Sequence, residues 1–131
     1  MDRRKSLTVL ALGSAAAGAA STASAQASGS GIKATLLYGH PPNPAEFEEY
    51  YVKTHLPIVW AIKGPLRREA AKCLPLPDGT PPPYYRIFEA WYESPEHLAA
   101  VAATPEAKAA GADVAKFTAG VTLTRFISKL G

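Results

Sequence analysis

The chain has 131 residues, with 14 Lys and Arg against 11 Asp and Glu and a single cysteine, Cys73. One cysteine excludes an internal disulfide, and the length allows one domain with a single core and room for one ligand pocket. The excess of base belongs to the first 25 residues, where Arg3, Arg4 and Lys5 face only Asp2. The remaining about 106 residues hold 11 bases and 10 acids, which excludes a basic surface for nucleic acid or an anionic membrane.

Residues 1–25 read as an export signal. The three bases are followed by an uncharged apolar stretch from Leu7 to Ala20 and by the small residues Ala23-Ser24-Ala25 of a cleavage site. The pair Arg3-Arg4 and the mild, Ala- and Gly-rich apolar stretch favour the twin-arginine route, with general secretion as the alternative. The stretch falls short of the about 20 residues of a membrane span. The expected mature protein is therefore periplasmic or secreted and not inserted in the membrane. Residues 26–31 are a Ser/Gly linker, and 32–131 form the domain.

Ile32 to Tyr38 has the alternation of a strand, with Ile32, Ala34, Leu36 and Tyr38 on one face. Asn43-Pro44 opens a helix, Asn43 capping free amides and Pro44 fitting the first position. Phe47, Tyr51 and His55 recur every four residues, with Tyr50, Thr54 and Ile58 beside them, so this stripe must face a sheet or core. Pro57 disturbs the helix, which a short continuation carries to Ile62 before Gly64-Pro65. Leu66–Leu74 is a weaker, edge-type strand, and 75–83, with Asp78-Gly79 and three consecutive prolines, is an exposed loop. Tyr84–Tyr92 is the clearest strand. Its alternation puts Tyr85, Ile87, Glu89 and Trp91 on one face and Tyr84, Arg86, Phe88, Ala90 and Tyr92 on the other. Ser94-Pro95 and Thr104-Pro105 start two helical pieces, 95–103 and 105–117, and Val121–Ser128 is the last strand.

The order β-α-β-β-α-β is the ferredoxin-like pattern, an α+β fold with a four-stranded antiparallel sheet and helices on one face. The other face needs a cover, and aromatics on both sides of Tyr84–Tyr92 make a second copy of the same sheet the expected one.

Among the histidines, His40 lies in a loop and His97 in the first turn of a helix. His55 lies on the apolar stripe, where a buried imidazole can act as general acid or base or can serve as a hydrogen-bonded structural group. Tyr38, Tyr51, Tyr85 and Trp91 are candidate walls of a pocket. Glu89 is either a carboxylate among aromatics or a partner of Arg86 or Lys33 at a sheet surface. The histidine spacing fits no metal site, Cys73 has no neighbouring His, and no glycine-rich cofactor loop is present; the sequence names no cofactor.

Phe47-Glu48-Glu49-Tyr50-Tyr51, Thr54-His55-Leu56-Pro57-Ile58-Val59, the strand from Tyr84 to Tyr92 with Glu93-Ser94-Pro95, and Ala112-Asp113 with Phe117-Thr118 together resemble the EthD family. The resemblance spans about residues 32–128. It implies a ferredoxin-like monomer that pairs sheet to sheet into a dimeric α+β barrel. It also implies a small apolar or aromatic molecule bound between sheet and helices. Members are often labelled reductases, and relatives of the barrel isomerise, decarboxylate or oxygenate such molecules. The motif carries His55 over as the catalytic candidate and Asp113 as a second. The export signal and the 75–83 loop depart from the family pattern. Two readings follow: an oxidoreductase- or isomerase-type enzyme using His55, or a non-catalytic dimeric binding protein. A haem-handling barrel is a third, with His55 as its one axial candidate.

Overall fold

A computed structural model describes residues 31–131. Residues 1–30, where the export signal and most of the linker are expected, lie outside the described residues. The elements are β1 (Ile32–Tyr38), α1 (Pro44–Tyr50), a π-helical turn (Tyr51–His55), α2 (Leu56–Trp60), β2 (Arg67–Lys72), β3 (Arg86–Tyr92), α3 (Pro95–Ala102), α4 (Pro105–Val114) and β4 (Leu123–Lys129). The four strands form one antiparallel sheet in the order β2-β3-β1-β4. This is the expected ferredoxin-like α+β architecture, with β2 at an edge.

Three of the four α-helices, α1, α3 and α4, start where the sequence signals it. The side chains of Asn43, Ser94 and Thr104 accept from the backbone N–H three residues on, and a proline occupies the first turn each time. Gly64, at φ 142°, ends the α2 segment against Val101, where a Cβ would come within 2.7 Å of the valine. The 75–83 loop is largely exposed and is pinned at its tip, where Gly79 N–H donates to the Leu76 carbonyl and Asp78 accepts from Thr80 N–H. α4 stops at Val114 rather than 117, so Phe117 leaves the helix in a turn.

Register fixes the two faces of the sheet. Tyr38 is opposite Arg86, Leu36 opposite Phe88 and Arg125, and Ala34 opposite Ala90 and Ile127. These residues share the face beneath the helices. Lys33, Thr35, Leu37, Ile87, Glu89, Trp91 and Phe126 share the other. The core sits on the helix side, around Tyr38, Phe47, Tyr51 and Tyr85, with Leu36, Leu56, Phe117, Val121 and Leu123 packed against them. Tyr38 meets Phe47 and Tyr51 edge-on, at centroid distances of 5.7 and 5.4 Å, while Phe47 and Tyr51 stack at 5.6 Å.

One strand boundary corrects the sequence reading. β3 begins at Arg86, and Tyr85 sits in a bend ahead of it. Strict alternation would put Tyr85 beside Glu89 and Trp91. The bend instead turns its ring to the helices, 5.4 Å from Phe47.

Candidate active site

The site is organised by the π-helical turn. In an α-helix a four-residue step overshoots one turn by about 40°, so a stripe at 47, 51, 55 and 59 would wander off the core. Across Tyr51–His55 the ladder widens, and Leu56 N–H donates to the Tyr51 carbonyl five residues back. A wider turn takes back the overshoot, and Phe47, Tyr51, His55 and Val59 are all buried. Pro57 gives the reason for the widening: it has no N–H to offer the Lys53 carbonyl, and its ring would crowd that carbonyl in a regular α-turn. Of the residues expected beside the stripe, Tyr50 and Ile58 are partly buried and Thr54 is exposed.

The turn delivers His55 to Asp113 of α4. His55 Nδ1 lies 2.9 Å from Asp113 Oδ2, and the Tyr50 hydroxyl donates to Asp113 Oδ1 at 2.8 Å. Both members of the His–Asp pair are buried, at 3% and 5% exposure. Burial pushes the Asp113 carboxyl up, but the hydrogen bonds from His55 and Tyr50 outweigh it and hold the group below the usual carboxylate range. The same bond to Asp113, with burial and the carboxylate's charge, pushes the Tyr50 phenol up. A carboxylate only accepts, so Nδ1 carries the proton and donates it, which leaves Nε2 of a neutral imidazole as the basic nitrogen. The Phe117 ring covers the imidazole at a centroid distance of 4.6 Å.

On its inner side His55 lines a cavity of ≈ 290 Å³ with Tyr38, Tyr51, Leu36, Val59, Phe88, Ala110, Val114 and Arg125 among its walls. Nε2 of His55 and the hydroxyls of Tyr38 and Tyr51 have no hydrogen-bond partner among the described residues. Thr35 Oγ1 is the one unpartnered side-chain polar atom sealed from solvent there, so these three groups open onto cavity space. Burial raises Tyr51 to about 12 and Tyr38 further still, so both remain O–H donors at neutral pH. A second, larger cleft of ≈ 520 Å³ shares Leu36, Val59, Ile62, Phe88 and Arg125 with the first and runs on beneath α3. An imidazole acceptor and two phenol donors thus converge on one apolar space, an arrangement suited to moving a proton on a bound molecule.

The other candidates lie elsewhere. Tyr85 donates its hydroxyl to Glu48 at 2.9 Å, in a cluster with Arg86, whose guanidinium also pairs with Glu48. Glu89 and Trp91 lie on the opposite face of the sheet and do not line the His55 cavity. Glu89 pairs with Lys33 at 2.9 Å, and Trp91 lies under Lys33 and Arg67. His40 bonds the Pro82 carbonyl, and His97 Nδ1 accepts from Glu93 N–H. Among the described residues no three His, Cys, Asp or Glu side chains converge as metal ligands do. Two residues of the site escaped the sequence reading. Tyr50 stood beside the stripe without a role, and Arg125 occupies a core-facing position of the last strand, an arginine where alternation calls for an apolar residue.

A sequence model of the EthD domain matches residues 40–120, which hold both His55 and Asp113. The chain belongs to the EthD family. An 11.0 kDa protein from the thcB–thcC intergenic region of Rhodococcus erythropolis is 40% identical over 88 residues, spanning 67% of this chain and 84% of that protein. Among solved structures, an EthD family protein of Bacillus halodurans superposes with a TM-score of 0.66 at 31% identity, covering 75% of this chain and 96% of that one. A dimeric protein of ferredoxin-like fold from Bacteroides fragilis gives 0.53 at 15% identity, over 74% and 95% of the two chains, a likeness of fold.

Proposed function

We propose that this EthD protein is an isomerase-type acid–base enzyme acting on a small apolar or aromatic molecule bound between sheet and helices. The observation that carries the reading is the His55 imidazole, tied at Nδ1 to Asp113 and open to the cavity at Nε2. Nε2 takes a proton from an acidified C–H of the bound molecule and returns it at another carbon. Asp113 orients the ring and stabilises the imidazolium that forms meanwhile. The Tyr38 and Tyr51 hydroxyls supply hydrogen bonds to the oxygen on which negative charge develops.

The experiment is proton exchange in deuterated water, followed by NMR, on a panel of small aryl ketones, β-diketones and unsaturated lactones. At least one is expected to exchange faster with the protein than in buffer, and His55→Gln is expected to abolish the gain. If none does, the catalytic reading fails.

A non-catalytic binding protein is the second reading. The larger, more apolar cleft beneath α3 favours it, since that space lies away from the imidazole. Ligand affinity that is indifferent to His55→Gln, with no exchange, would select it.

The working form is read as a homodimer made by pairing the open sheet faces. Leu37, Ile87, Trp91 and Phe126 offer apolar surface there, and Phe126 is 48% exposed. It is also read as an exported form beginning near Gln26, which the mass of the protein recovered from its own cell envelope tests.

A further inference from the structure

We infer that Arg125 makes the cleft selective for anions, so that its ligand joins an apolar or aromatic body to a carboxylate held by the Arg125 guanidinium. The inference rests on the cleft being a ligand site, as proposed above, and specifies the ligand's class.

Arg125 stands on β4 directly opposite Leu36, on the face beneath the helices. It lines both the His55 cavity and the larger cleft, so its charge reaches the whole space. No carboxylate pairs with it among the described residues. No Asp or Glu lines either space. The other cation in the walls, Arg68, is differently occupied: its guanidinium bonds the Ile62 carbonyl and lies over the Trp60 ring. Neither partner carries a countercharge, so the cleft's walls hold two positive charges and no negative one.

Arg125 is exposed at the edge of this apolar space, where its charge meets an anion entering from solvent and is screened by salt. A guanidinium presents a planar fork that matches a carboxylate with two parallel hydrogen bonds. Arg68 stands on β2 and Arg125 on β4, at opposite edges of the sheet, and the Arg68 guanidinium is already held at the Ile62 carbonyl and the Trp60 ring. Arg125 is the one that also borders the His55 cavity. A carboxylate anchored there leaves the apolar body to reach toward Nε2 and the two phenols.

The test uses calorimetric titration with 4-phenylbutyrate and its neutral counterpart 4-phenylbutyramide, at low salt, on the wild type, Arg125→Met, Arg125→Lys and Arg68→Met. The wild type is expected to bind the acid about tenfold or more tightly than the amide, as a charge-assisted pair provides. Arg125→Met keeps the apolar stem and should erase that preference, read as the ratio of acid to amide affinity. Arg125→Lys should retain part of it. An acid bound no more tightly than the amide overturns the inference and leaves the cleft reading standing. So does a preference that survives Arg125→Met or vanishes only in Arg68→Met. If neither compound binds, the ligand-site reading fails and this inference with it.

Discussion

Tyr50 and His55 hold opposite oxygens of a single carboxylate: the phenol donates to Oδ1 of Asp113 at 2.8 Å and the imidazole contacts Oδ2 at 2.9 Å. The carboxylate is 58 residues from the imidazole in sequence and has no freedom left to rotate. It therefore sets both which nitrogen of His55 is protonated and where the ring points.

Asp113→Asn keeps the shape and removes the charge. The amide can present its NH2 to Nδ1, which moves the proton to Nε2 and silences the base. Exchange activity is expected to fall by about 10²–10⁴-fold. Nitrogen-15 shifts of the imidazole should show the tautomer change, a readout that a merely packed histidine would not give.

Tyr50→Phe removes one of the two bonds that depress Asp113. The folded protein's Asp113 pKa lies below its unfolded value, so the stability it contributes is present above the ordinary Asp range. That stability is lost as pH falls through the depressed value. In Tyr50→Phe the Asp113 carboxyl is less depressed, so the loss should be smaller and complete at a higher pH. Denaturant titrations between pH 6 and the acid limit measure both, and Asp113→Asn should remove this part of the acid dependence altogether.

Ala110 is buried and lines the His55 cavity. Ala110→Leu places a larger side chain into this cavity, so the melting temperature should hold within a few degrees while ligand binding and exchange are lost. A variant that binds as before would show that ligands do not use this cavity.

Leu37 and Ile87 are opposed on the open face of the sheet. Leu37→Arg places a charge where the second sheet is expected to pack, and should convert a dimer to a monomer in sedimentation velocity at micromolar concentration. A wild type that already sediments as a monomer would refute the dimer.

The sequence made parts of this legible because local spacing encodes them. The four-residue recurrence of Phe47, Tyr51 and His55 announced a buried stripe, and Asn, Ser or Thr before Pro announced the helix starts. The partnership of His55 with Asp113 has no local signature; only the EthD resemblance pointed at Asp113. Alternation sorted Glu89 and Trp91 together, and the register agrees. In a strand with aromatics on both sides it does not say which face the helices cover, and that misplaced Trp91 among the pocket walls, while of the two readings of Glu89 the pairing with Lys33 is the one formed. Tyr85 was misread for a different reason. A bend one residue ahead of a strand turns a side chain to the other face without changing the pattern that precedes it. Arg125 was not singled out, and only the register shows that this exposed side chain lies on the helix face of the sheet, opposite Leu36.

The widened turn at Tyr51–His55 has a meaning for how such chains diverge. It behaves as a one-residue insertion absorbed within a helix. Deleting Val52 would leave three residues' advance from Tyr51 to His55, about 300° on an α-helix in place of a nearly full turn, and would turn the imidazole roughly 60° from the line of Phe47 and Tyr51. A single codon thus separates a domain with its aromatic wall and imidazole in register from a near-identical scaffold in which they part company. Length between Phe47 and Pro57 is therefore a sharper guide to shared chemistry among homologues than overall percentage identity.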